Sequence, residues 1–127
     1  MILRREFLTA LAATPLLSAK QKTIGLAFGT YGMKTLANAE AFSILRKTGY
    51  DGVQLCIMPG WPTDPATMGA FARGELRRMV RDSGLALPAL QDTLAINGSP
   101  EKRKANLERL KIAVDLGNEL VPSHPPL

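Results

Sequence analysis

The chain has 127 residues, 16 Lys and Arg against 11 Asp and Glu, a net charge of +5 and 46% hydrophobic residues. That is enough for one folded domain, too little for two, and too apolar for wholesale disorder. No apolar run reaches the roughly 18–20 residues needed to span a bilayer. The two dense basic groups, Arg77-Arg78-Arg81 and Lys102-Arg103-Lys104, fall inside helical patterns with acids nearby. They lack the interleaved aromatics or known motif of a nucleic-acid surface, so solvated helix faces are expected and nucleic acid is not an expected partner. Cys56 is alone, which excludes an intramolecular disulfide, and its apolar run Val53–Ile57 predicts a buried structural thiol.

The first nineteen residues read as an address. Arg4 and Arg5 are followed by an uncharged stretch from Phe7 to Leu17, and Ser18-Ala19 offers small residues for cleavage. Basic start, short apolar middle and small-residue end are the layout of a bacterial export signal. The spacing Arg4-Arg5-x-Phe7-Leu8 resembles the twin-arginine signal, whose translocase accepts folded cargo. Export to the periplasm or beyond is expected, with a membrane tether if the signal stays uncleaved. A plain amphipathic helix is disfavoured because Thr14-Pro15 would interrupt it.

From Lys20 onward the periodicity alternates. Thr23–Phe28 reads as a buried strand that ends at Gly29-Thr30-Tyr31-Gly32. Leu36–Thr48 places Leu36, Ala39, Phe42 and Leu45 on one helical face, with Gly49 after it. Gly52–Met58 is a second strand. Asp64-Pro65 supplies a cap and a first-turn proline for the next helix, with breaks at Gly69 or Gly74, and Leu76, Met79 and Val80 face inward. Leu85–Leu90 reads as a third strand. Ser99-Pro100 opens a helix with the stripe Leu107, Leu110 and Val114, ended by Gly117, and Leu120-Val121 begins a fourth strand cut short at Pro122. Strand starts near 23, 52, 85 and 119 imply βαβ units on a parallel sheet. No GxGxxG follows the first strand and no phosphate-binding loop is present, so a nucleotide site has no support.

Four segments, in order, point to a family. Ile24-Gly25-Leu26-Ala27-Phe28-Gly29-Thr30-Tyr31 resembles the first strand and loop of the xylose-isomerase-like TIM barrels, the sugar phosphate isomerase/epimerase superfamily. Lys47-Thr48-Gly49-Tyr50-Asp51-Gly52-Val53-Gln54-Leu55 resembles its second strand, where GYDGVEL is usual. Leu76–Leu87 is similar to the passage into its third strand. Leu107–Leu120 is similar to its third helix, which enters a strand that often ends in His. The resemblance covers residues 23–124 and implies the first half of a (β/α)8 barrel of about 250 residues, with its site at the C-terminal strand ends. The domain reading is therefore 1–19 signal and 20–127 partial barrel. Four strands without their partners would leave two free edges, which invites self-association.

The resemblance also implies chemistry for the intact form. Such barrels bind a divalent ion (Mn, Mg or Zn) with Glu, Asp and His from several strand ends. They move a proton beside a carbonyl of a carbohydrate or sugar phosphate. Most of those ligands belong to later strands, so the fragment alone is expected to be inactive. His124 is the only histidine and follows the fourth strand, where it is the candidate metal ligand, although a catalytic zinc needs about three protein ligands. Gln54 stands where the family has Glu; an amide cannot act as a base but can hydrogen-bond a sugar hydroxyl. Trp61 lies in the loop after the second strand and could stack on a sugar face, or fold over the rim. Asp92, beside Gln91 at the end of the third strand, is either close to a metal or a turn residue. Tyr31, after the first strand, is a candidate pocket hydroxyl. The rival is a small exported flavodoxin-like α/β module that binds without catalysis, on an open sheet.

Overall fold

The computed structural model describes residues 24–123 and Pro126. Arg4, Arg5, Phe7, Leu8 and His124, to which the signal and the metal role were ascribed, lie outside these residues. The described elements run β1 (Ala27–Gly29), a 3-10 turn (Thr30–Met33), α1 (Asn38–Lys47), β2 (Gly52–Cys56), α2 (Ala70–Ser83), β3 (Leu90–Gln91) and α3 (Pro100–Leu120). The strands form a parallel sheet in the order β1-β2-β3, with Gly29 beside Gln54 and Cys56 beside Gln91. The chain is therefore a mixed α/β fold of successive βα units.

Alternation along β2 assigns the two faces. Val53, Leu55 and Ile57 join a cluster with Phe42 and Leu45 of α1, Leu76 and Val80 of α2, and Leu116 and Leu120 of α3. Cys56, equally buried, is not part of that cluster. All three helices thus cover one face of the sheet. Side chains in register point the same way, so the other face carries Ala27, Gly29, Gly52, Gln54, Cys56 and Gln91. The described βα units are thus wound on one side of a three-stranded parallel sheet. A doubly wound sheet, the rival expectation, has helices on both faces.

Several boundaries differ from the sequence reading, each for a physical reason. Regular pairing in β1 starts only at Ala27. The helix expected from Asp64-Pro65 begins at Ala70, because the Asp64 carboxylate is taken by Arg109 and by the amide of Ala66, forming a turn. Gly84 then ends α2 in the left-handed region, at φ +70°, where a side chain would be strained. The third strand is regular only at Leu90–Gln91, with one isolated bridge from Ala86 to Gly52; Pro88, which has no N–H, lies between them. The helix opened by Ser99 runs through Gly117 to Leu120, and Val121 caps it, so the expected fourth strand at Leu120-Val121 is not formed.

The third helix also turns a different face inward. Leu116, Gly117 and Leu120 are buried, with Arg109, Ile112 and Ala113 half-buried along the same line. The expected stripe is the exposed one: Leu107 at 59%, Leu110 at 44% and Val114 at 60%. Two sets of residues at helical spacing exist in this segment, and packing selected the one that begins at Arg109.

Candidate binding site at the strand ends

The C-terminal ends of β1 and β2 are tied together by threonine hydroxyls. The amide of Cys56, the last residue of β2, donates to Oγ1 of Thr30 at 2.9 Å, and its carbonyl accepts from Oγ1 of Thr63 at 2.6 Å. Both threonines are buried. Thr30 opens the turn after β1 and Thr63 sits in the loop after β2, so one residue anchors both loops. Such satisfied buried hydroxyls hold a rim in one geometry.

On that rim Tyr31 and Trp61 stack, with ring centroids 5.4 Å apart and planes 27° from parallel. The Trp61 indole N–H donates to the carbonyl of Tyr31 at 3.3 Å. The ammonium of Lys34 lies 4.4 Å from the centre of the Trp61 ring, in cation–π range. Trp61 is half-buried and Tyr31 remains exposed. Two of the residues singled out from sequence are thus joined in one aromatic platform.

Gln54 and Gln91 lie on the face that the helices leave bare. A methyl group placed on Gly29 would stand 3.0 Å from Oε1 of Gln54 and 3.9 Å from Oε1 of Gln91. The two amides therefore converge on the space above Gly29. Both are half-buried, and neither side chain hydrogen-bonds to another described residue. Both amides thus have hydrogen-bonding capacity that no described side chain or backbone group takes up.

Asp92 accepts from the next amide, that of Thr93, at 2.8 Å and also pairs across the fold. Its Oδ2 accepts from Nε of Arg109 at 2.6 Å and its Oδ1 from Nη2 at 3.3 Å, a two-point pair. Nη1 of the same guanidinium reaches Asp64 Oδ1 at 2.8 Å, and Nη2 also donates to the carbonyl of Ile57. The three side chains are 16%, 6% and 10% exposed for Arg109, Asp64 and Asp92. Burial works against the charge of Arg109, but the hydrogen bonds and charges of Asp92 and Asp64 outweigh it and hold the guanidinium above its ordinary pKa. Arg109 thereby fastens α3 to the ends of β2 and β3, the two loops that flank the glutamines.

The described residues do not assemble a metal site. Asp92 spends both oxygens on Arg109, and no three His, Cys, Asp or Glu side chains converge among them. Cys56 is buried as expected. A cavity of about 500 Å3 is lined by Arg77, Gly84, Leu85 and Pro122. It lies toward the opposite, N-terminal end of β3, away from the platform and the glutamines.

Sequence reading singled out Tyr31, Gln54, Trp61 and Asp92, and the structure places the first three at one end of the sheet. It missed Lys34 and Arg109. The signal for Arg109 was its place at helical spacing ahead of Ile112, Leu116 and Leu120, a charged residue on the face that packs. No family model, no curated protein and no solved structure matches this chain.

Proposed function

We propose that the chain is the first half of a xylose-isomerase-like barrel, carried out of the cytoplasm by a twin-arginine signal. In this reading it binds a neutral or phosphorylated sugar at its strand ends. One observation carries the ligand class: two amides with no hydrogen-bond partner among the described residues, Gln54 and Gln91, share the space above Gly29 at the end of the sheet. Each amide offers one acceptor and two donors, which suits adjacent sugar hydroxyls. The Tyr31–Trp61 platform adds the aromatic surface on which the apolar face of a pyranose stacks.

The half-site binds and orients rather than reacts. Neither glutamine can take a proton from carbon, and Asp92 is held by Arg109. Acid/base groups and ligands for a divalent ion would come from outside the described residues, His124 among them. In a completed barrel that ion would polarise the carbonyl beside which a proton moves. The described residues do not form its site. The singly wound sheet favours this reading over a flavodoxin-like module.

Binding is the test. Calorimetric titration of the chain with neutral monosaccharides and their phosphates should give a saturable heat with at least one of them. Gln54→Ala and Gln91→Ala should each weaken binding about tenfold, the loss of one hydrogen bond of about 1.4 kcal/mol, without moving the unfolding midpoint. Absence of heat with every sugar would remove the proposal.

A further inference from the structure

Two apolar rows are left uncovered by the described residues, and both lie on the helix side of the sheet. In β1, Phe28 sits beside Val53 and so points to that side, with Leu26 and Ile24 at the alternate positions before it. They are 41%, 62% and 97% exposed, since no described helix covers β1 from its outer edge. The second row is Leu107, Leu110 and Val114 of α3. In a singly wound sheet each helix lies over the gap between its own strand and the next. Helix α1 has β1 and β2, and α2 has β2 and β3, but α3 has only β3.

Among the described residues, the backbone lacks partners at the same two places. The amides of Leu55 and Ile57 take the carbonyls of Ala89 and Gln91, so the intervening Leu90 turns its N–H and carbonyl to the outer edge. The amide of Gly52 takes the carbonyl of Leu26, which turns those of Ala27 outward on the other edge. A groove of about 250 Å3 beside β3 is lined by Ile57, Leu90, Leu110, Val114 and Pro126, among others.

We propose that these edges fit one another between copies: β1 of one chain seats in parallel against β3 of a second. A parallel neighbour keeps the alternation of the sheet. Leu26 and Phe28 would then arrive on the helix side, over Leu110 and Val114, while Ala27 and Gly29 continue the face of small and amide residues. Helix α3 gains the second strand that α1 and α2 already have. The contact is head-to-tail, each copy giving a different edge, and it stands independently of any ligand.

The head-to-tail geometry makes a specific test. The 127-residue chain should grow in mass with concentration in sedimentation velocity. Leu26→Asp and Val114→Asp change exposed positions, and each variant alone should be monomeric, because every contact needs one intact edge of each kind. Mixed one to one, they retain one good pair of edges and should form a dimer that grows no further. Hydrogen exchange needs no variant: the amides of Ala27 and Leu90 should be protected in the assembled chain and exchange freely on dilution. A native chain that stays monomeric at millimolar concentration would overturn the proposal. So would association that survives both substitutions, as it would through the apolar segment Phe7–Leu17, a mixture that remains monomeric, or amides that exchange freely at every concentration.

Discussion

Arg109 does the most structural work of any single side chain. It is the only partner of the Asp64 and Asp92 carboxylates among the described side chains, and both are nearly sealed from water. Arg109→Met would leave two buried carboxylates unpaired, which costs about 3–5 kcal/mol; the loss should appear as a lower urea midpoint with an unchanged slope. Arg109→Lys keeps the charge but not the planar fork and should fall between the two. Gly29→Ala works in the opposite sense. The added methyl meets the flexible end of Gln54, so stability should hardly change while sugar binding weakens, read by calorimetry against the native chain. Tyr31, Trp61 and Asp92 stood out in the sequence because each follows an apolar strand run, and Gln54 because it is a polar residue within one. Arg109 did not, since a charge within an apolar face looks, in sequence, like the edge of that face.

Strands and helices were legible as a rhythm, less so as boundaries. Turn chemistry was right at Gly49, which follows α1 at φ +86°, and at Ser99, where backbone conformation is decided locally: Ser99 accepts from the amide of Lys102 at 3.4 Å as the cap of α3. It failed at Asp64, whose carboxylate caps a turn through the amide of Ala66 and pairs with Arg109 but opens no helix, and at Leu107–Val114, where two faces competed and tertiary contact chose. Close packing of strands makes its own prediction. A Cβ on Gly52 would stand 3.0 Å from the carbonyl of Ala86 and 3.2 Å from Cβ of Ala27. Gly52→Val should therefore part the strands and cost about 1–3 kcal/mol in denaturant unfolding. The first turn of α3 gives a pH prediction. A hydrogen bond from Ser99, then one from its own backbone amide, hold the exposed Glu101 carboxyl below its usual range. A depressed folded-state pKa means the stabilisation is present above the ordinary glutamate value and is lost as pH falls through the folded value. The stability gap between the native chain and Glu101→Gln should accordingly close on acidification.

At the scale of the molecule, a parallel βα sheet was legible from alternating periods, and its winding was not. Periodicity says which residues are apolar; only packing says that all three helices lie on one side. That arrangement leaves Gln54 and Gln91 on the face the described helices do not cover, at the same end as the aromatic platform. The fourth strand was misread for a related reason: Leu120 and Val121 are apolar in either state, and α3 kept Leu120 as its last turn. Trp61 is the chain's single tryptophan and stands on the proposed site's rim, so its emission reports from that site alone. The most direct measurement is a titration of that emission with monosaccharides and sugar phosphates, on protein that unfolds cooperatively. The account predicts a saturable change that is lost when Gln54 and Gln91 are both replaced by alanine. Emission that stays constant at saturating sugar, or a change that survives the double substitution, would contradict it.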